Sequence, residues 1–261
     1  MAALAHHRFG EGPRTLILLH GLLGGSRNLA SLARGLSERR PELSVFALDL
    51  TGHGGSPALP AGADLAVLAG DVLTTAHALR GRTAMIAVGH SLGGRVALRA
   101  ALLEPASFAH VTLLDISPSG RAPGGETARV VEALLAAPDA APDRDAFRAH
   151  FAAAGLTTAL AEWLLLNLVH DDGRYRWRID RAALARLHEA TAREDLWAAV
   201  EGTRAYGVTC VRGGRSPYVG EADARRLGDA GCTVVTIPEA GHFLHVERPA
   251  EVLAALDDDL R

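Results

Sequence analysis

The sequence GHSLG at residues 89–93 places a serine, Ser91, between two glycines, Gly89 and Gly93. It follows an apolar run, residues 83–88, that predicts a buried strand, and it precedes an alanine- and leucine-rich helical pattern. A tight turn from strand to helix exposes the serine hydroxyl, and the free N–H groups at the start of the helix stabilise negative charge beside it. We therefore predict that Ser91 is a nucleophile.

A serine hydroxyl becomes a good nucleophile only when a base takes its proton and an acid orients that base. The candidate base is His242, which follows the last predicted strand, residues 233–237, after a short loop. The carboxyl ends of parallel strands share one edge of a sheet, so His242 is expected beside Ser91. His245 is the alternative base, although it is expected to pack near the start of the last helix.

Two other histidines lie next to candidate motifs but are not expected to transfer protons. His53 stands between two glycines in a loop, where a structural hydrogen bond is the expected role. The side chain of His90, which precedes the nucleophile, is expected to point away from the cleft.

Short apolar runs alternate with helical patterns along most of the chain, which is typical of an α/β fold with a mostly parallel sheet covered by helices on both faces. An additional strand near residues 3–9 is expected to pair antiparallel at the sheet edge. The predicted parallel strands are residues 15–19, 45–48, 84–88, 111–114, 208–211 and 233–237, and the helices between them are residues 28–39, 65–79, 92–103, 221–230 and 249–260.

The alternation stops between residues 120 and 206, where the patterns predict helices and no strand. We interpret residues 120–206 as a helical cap and residues 1–119 with 207–261 as the core, because such sheets bind ligands at the strand ends where this segment begins. A separate helical bundle is the alternative. The segment carries Trp163, Trp177 and Trp197, which are expected to pack among its helices, with the lining of an acyl pocket as the alternative role. Its predicted helices are residues 127–136, 144–154, 157–169, 181–189 and 194–201.

Over essentially its whole length, the chain resembles the α/β-hydrolase superfamily. The resemblance rests on the serine turn, on HGLLG at residues 20–24, on DLTGHGGS at residues 49–56, which fits a D-x-x-G-x-G-x-S loop, and on the region around His242. It implies an α/β-hydrolase fold and an oxyanion hole made by two backbone N–H groups. The residue after the nucleophile, Leu92, provides one of them, and by resemblance Leu22 provides the other.

The acid departs from the commonest pattern of that superfamily. Most members carry it in a Gly-x-x-Asp sequence after the strand equivalent to residues 208–211, but here Ser216 occupies that position. Residues 114–118 and 213–219 resemble a narrower group, the small bacterial serine esterases and thioesterases related to the abhydrolase-domain-eleven proteins. In that group the acid follows the family's sixth strand, which maps onto Asp115. Asp223 and Glu221 are the alternatives.

Composition excludes several other kinds of protein. The 261 residues include no lysine, which excludes a pyridoxal-phosphate Schiff base and a P-loop lysine. A net charge of −3 without long runs of one sign argues against a nucleic-acid surface. Only Cys210 and Cys232 are present, so we expect no disulfide framework, no metal site and a cytoplasmic location. No signal peptide, membrane span or cofactor is expected.

These residues together predict a serine hydrolase that cleaves carboxylic esters or thioesters of small acyl substrates through an acyl-enzyme. Two further enzyme functions would use the same triad: cofactor-independent haloperoxidase or perhydrolase activity, and hydrolysis of C–C bonds or lactones. A receptor or binding module built on a hydrolase scaffold is the non-enzymatic alternative. The oligomeric state is left open by the sequence.

Overall fold

The computed structural model describes residues 2–79, 83–121 and 124–259. Seven of its strands form one sheet in the order β1-β3-β2-β4-β5-β9-β10, and three form a small second sheet in the order β6-β8-β7. In chain order, the strands of the described residues are β1 His6–Phe9, β2 Arg14–Leu19, β3 Leu43–Leu48, β4 Met85–His90, β5 Phe108–Leu114, β6 Ala140–Ala141, β7 Leu168–Asp171, β8 Arg174–Trp177, β9 Gly207–Gly213 and β10 Thr233–Ile237.

The large sheet has the predicted mixture of strand directions. β1 pairs antiparallel with β3 at one edge, and every other pairing in the sheet is parallel. The central strands β3 and β4 are buried at every position, as a parallel sheet covered on both faces requires. The carboxyl ends of β4, β5 and β10 therefore lie along one edge, where the candidate triad residues follow them.

Helices cover both faces of the large sheet. Leu36 of α1 and Leu256 of α10 belong to the core on one face, and Leu73 of α2 and Val96 of α3 belong to the core on the other. Within the described ranges, no helix is long and apolar enough to cross a membrane. The helices are α1 Ala30–Arg39, α2 Leu65–Leu79, α3 Leu92–Leu103, α4 Gly125–Ala136, α5 Arg144–Ala153, α6 Thr158–Leu165, α7 Arg181–Ala192, α8 Glu221–Asp229, α9 Leu244–Glu247 and α10 Pro249–Asp259.

The sequence predicts helices and no strand in the inserted segment, residues 120–206. This prediction is wrong in part, because the segment also contains β6, β7 and β8. The prediction of a helix over residues 157–169 is wrong at its end, because α6 stops at Leu165 and β7 begins at Leu168. Asp172 and Gly173, with φ of 45° and 69°, make the two-residue turn that joins β7 to β8. The helix expected over residues 194–201 is only a short 3₁₀ turn, Trp197–Ala199.

Gly93 offers a test of how closely α3 packs against the sheet. A Cβ at Gly93 would lie 2.3 Å from the backbone oxygen of Leu19, whereas a Cβ at Gly228 in α8 would meet nothing within 4 Å. We expect Gly93→Ala to lower the free energy of unfolding by about 3 kcal/mol, because backbone must move to admit the methyl group. Gly228→Ala should raise it by up to about 1 kcal/mol, since alanine favours the helix.

Chemical denaturation of both variants and the wild type measures this difference. A Gly93→Ala protein as stable as the Gly228→Ala protein would contradict the close approach of α3 to β2.

Candidate active site

Ser91 occupies the single residue between β4 and α3. Its φ of 52° and ψ of −117° lie outside the regions that most residues adopt. The turn can be this tight only because glycine stands two residues before and two residues after Ser91, and a Cβ at Gly89 would lie 2.4 Å from the backbone carbon of Gly93. The N–H of Leu92 is the first of α3 and has no partner within the helix. Ser91 therefore sits at the positive end of a helix dipole.

Asp115 and His242 form a hydrogen-bonded pair beside this turn. Nδ1 of His242 donates to Oδ2 of Asp115 at 2.7 Å. The Asp115 side chain is fully buried and that of His242 is 10% exposed. Asp115 follows β5 directly and also has a positive φ, 52°. The Tyr218 ring stacks on His242 with 3.8 Å between ring centroids, which restricts the imidazole to one orientation.

Two further donors satisfy the Asp115 carboxylate. The N–H of Gly213 donates to Oδ1 at 2.9 Å, and the hydroxyl of Ser216 donates to Oδ2. Ser216, at the position where the sequence resemblance places the commonest acid, thus provides a hydroxyl that binds the Asp115 carboxylate.

The two alternative acids bind other partners. Asp223 accepts hydrogen bonds from Ser119 and Arg121, and Glu221 accepts one from Arg212. Neither contact places these carboxylates on His242.

His90 does not point away from the cleft as expected. Its ring packs on His242 and His245, at centroid distances of 4.7 and 4.5 Å, and its Nε2 donates to the backbone oxygen of His242 at 2.9 Å. Burial lowers the pKa of His90 well below the ordinary value, so the ring is neutral. His245 is buried at the start of the C-terminal helices as expected, and burial lowers its pKa to about 4.

The loop after β2, which carries Leu22, is held by neutral histidines. Nε2 of His20 accepts the N–H of Leu50 at 2.9 Å, and Nε2 of His53 accepts the N–H of Leu23 at 3.2 Å. Burial, and then the proximity of His20, lowers the pKa of His53 to about 3. The structural role expected for His53 is therefore confirmed.

The inserted segment also contacts this loop. Nδ2 of the buried Asn167 donates to the backbone oxygen of Leu23 at 2.8 Å. The N–H and the carbonyl of Leu23 are thus both hydrogen-bonded. These bonds hold a strained backbone, since Leu23 has a φ of 63°. No sequence signal marked Asn167, because it lies 144 residues from its partner.

Two cavities meet at Ser91, and both have walls from the inserted segment. The larger holds about 350 Å³ and is lined by Ser91, Leu92 and residues of α7. The smaller holds about 40 Å³ and is lined by Ser91, His242 and Trp163. Leu22 lines both cavities. The expected packing thus holds for Trp197, which is buried, and for Trp177, whose ring contacts those of Phe147 and Phe151 in α5, whereas Trp163 faces a cavity.

The chain matches known proteins along most of its length. The model of the alpha/beta hydrolase family matches residues 16–256. The chain is 29% identical over 258 residues to the Mus musculus protein named sn-1-specific diacylglycerol lipase ABHD11, which covers 94% of this chain and 81% of that one. It is 33% identical over 263 residues to Lipase LipV of Mycobacterium tuberculosis, covering 95% of this chain and 94% of that one. Among solved structures, an esterase from a marine microorganism superimposes with a TM-score of 0.88 at 22% identity, covering 99% of each chain.

The neutral histidines predict that acid destabilises the fold. In the unfolded chain His53 binds a proton near its ordinary pKa of about 6.5, whereas in the folded protein it does so near pH 3. Between these values the unfolded state binds more protons, so stability falls as the pH falls. We expect His53→Gln to reduce this slope by up to about 1.4 kcal/mol per pH unit between pH 6 and pH 4.

Denaturation curves at several pH values test this expectation. Ser56→Ala is the matched control, because it removes a hydrogen bond to Asp49 in the same loop without removing a titratable group. It should lower stability at every pH and leave the slope unchanged. Equal slopes for the wild type and His53→Gln would contradict the neutral, buried state of this ring.

Proposed function

The chain belongs to the alpha/beta hydrolase family, and from that premise we propose that it is a serine hydrolase that cleaves carboxylic esters or thioesters. The observation that carries the proposal is the 2.7 Å hydrogen bond from His242 to the buried Asp115, together with the cavity that His242 and Ser91 both line. Relatives that are named as lipases support ester bonds as the target. The substrate would be a small acyl ester or thioester.

In the proposed acylation step, Nε2 of His242 takes the proton of the Ser91 hydroxyl as its oxygen attacks the acyl carbon. Asp115 holds Nδ1–H of the imidazole, which leaves Nε2 free to accept, and its negative charge stabilises the imidazolium that forms. The carbonyl oxygen becomes an anion that the N–H groups of Leu22 and Leu92 bind. One such donor is worth about 3 kcal/mol of the barrier.

The intermediate then loses the alcohol or thiol, which receives its proton from His242. An ester between Ser91 and the acyl group remains. His242 next takes a proton from water, the hydroxide attacks the acyl carbon, and the carboxylic acid leaves as Ser91 regains its proton. No step requires a metal or an organic cofactor.

We further propose that the inserted segment acts as a cap on this site. Thr127 of α4, Trp163 of α6 and Thr191 of α7 line the two cavities. Asn167 binds the loop that carries Leu22. The cap would thereby shape the substrate pocket and help to hold one oxyanion donor in place.

A fluorophosphonate probe tests the nucleophile, because it forms a covalent bond only with an activated serine. The wild type should be labelled and should hydrolyse p-nitrophenyl acetate, and Ser91→Ala should lose both properties. Ser107→Ala changes a buried serine just before β5, at the opposite end of that strand from Asp115, and should retain both. A wild type that resists the probe, under conditions that label a known esterase, would favour a binding module.

The assignment of the acid is tested separately. Asp115→Asn should reduce kcat about 10⁴-fold, because the amide cannot stabilise the imidazolium and favours the wrong tautomer. Asp223→Asn should leave most of the activity, since Asp223 is bound by Ser119 and Arg121. Circular dichroism checks that both variants are folded. The reverse ranking of kcat would overturn the role proposed for Asp115.

A further inference from the structure

The two cavities at Ser91 can be assigned to the two halves of a substrate, provided that the proposed function is correct. His242 must hand its proton to the leaving oxygen or sulfur, so the leaving group has to lie next to it. Among the described residues, His242 lines the smaller cavity and does not line the larger one. The leaving group therefore departs through the smaller cavity, and the acyl group occupies the larger one of about 350 Å³.

The larger cavity is unusual in its charge. In the part of the chain that the structure describes, its wall contains three basic side chains, Arg95, Arg121 and His188, and no carboxylate. Because burial lowers the pKa of His188 and Asp223 pairs with Arg121, the positive charge of this wall comes mainly from Arg95, in a protein whose net charge is −3. A cleft with charges of one sign raises the local concentration of ligands of the other sign.

Arg95 is the central group of this set. It is only 5% exposed and follows Ser91 by one turn of α3, or about 6 Å along the helix axis. Its guanidinium donates to the backbone oxygens of Ser117, Ser119, Thr191 and Glu194. All four acceptors are neutral carbonyls, so no carboxylate among the described residues binds this buried cation directly.

The neighbouring groups leave room for an anion. Arg121 is already paired with Asp223, at 2.9 Å. Nε2 of His188 is buried and has no hydrogen-bond partner among the described residues. His188, Thr191 and Ala192 lie on one face of α7, and this face forms the wall that Arg95 contacts through Thr191.

The rest of the wall is apolar. Leu22, Leu92 and Ile116 line the cavity with Ser91 and give a methylene chain an apolar surface. A ligand that begins at Ser91 and ends beside Arg95 thus needs a short apolar linker and a terminal anion.

We propose that the larger cavity binds an acyl group with a carboxylate at its far end, held by Arg95. The preferred substrates are then half-esters or half-thioesters of short dicarboxylic acids. A carboxylate beside Arg95 would give this buried cation a directly bound counter-ion, because the nearby Glu194 and Asp195 act on it only through space, and a charge-assisted hydrogen bond of this kind strengthens binding about tenfold or more.

The test compares matched ethyl esters with the wild-type enzyme. Monoethyl glutarate and ethyl pentanoate have acyl chains of the same length and differ in the terminal group, as do monoethyl adipate and ethyl hexanoate. In one of these pairs, we expect kcat/KM for the half-ester with the free carboxylate to be about tenfold or more higher than kcat/KM for the neutral ester. Free glutarate should also inhibit the hydrolysis of p-nitrophenyl acetate more strongly than pentanoate does.

Variants locate the preference. Arg95→Gln should abolish it and bring the two members of each pair to similar kcat/KM values. Arg99→Gln is the matched control and should retain the preference. Arg99 lies one turn further along α3, pairs with Glu194 and is not part of the cavity wall. If Arg95→Gln does not fold, the wild-type preference and the inhibition by glutarate decide the question.

The outcomes separate this inference from the proposed function. A wild type that is labelled by the fluorophosphonate and hydrolyses p-nitrophenyl acetate, but prefers the neutral ester of each pair, would overturn the carboxylate site alone. A wild type with neither labelling nor ester hydrolysis would overturn the proposed function itself.

Discussion

The buried carboxylate of Asp115 is the group on which the arrangement of the site depends. A buried anion without a cation at its side is stable only when hydrogen bonds replace the water it has lost. Gly213, the last residue of β9, provides one of them, and Ser216 and His242 provide the others from the loops after β9 and β10. The same anion thus joins three strand ends, and the position of the imidazole follows from the requirement to satisfy it. Removing one donor would affect the fold and the chemistry together.

Backbone strain is concentrated at the same place. Among the described residues other than glycine, four have a positive φ, and three of these belong to the proposed site: Leu23 in the loop after β2, Ser91 as the proposed nucleophile and Asp115 as the proposed acid. Such conformations cost free energy and persist only where the surrounding structure holds them. Here the packed glycines next to Ser91, the donors around Asp115 and the contacts of Leu23 with His53 and Asn167 hold them.

The sequence predicted what local patterns determine and missed what depends on distant contacts. Strand periodicity and the GHSLG turn place Ser91 and His242 at one sheet edge, and the resemblance to a narrower group implied Asp115. The inward packing of His90 was missed because it depends on His245 and on a carbonyl 152 residues away. The hairpin at Asp172-Gly173 was missed although the Asp-Gly pair and the alternation of arginine with aromatic residues in β8 are hairpin signals, because the apolar pattern of α6 was extended into β7.

The inserted segment contacts the proposed site at two separate places. Asn167, which lies between α6 and β7, binds the carbonyl of Leu23, next to the proposed oxyanion donor, so a shift of this connection would move that loop. Arg95 binds the carbonyls of Thr191 and Glu194, so the helix that begins behind the nucleophile also holds the end of α7. An acyl group with a terminal carboxylate would bind where these two parts of the protein meet. Its binding would therefore strengthen the contact between cap and core in the state in which Ser91 reacts.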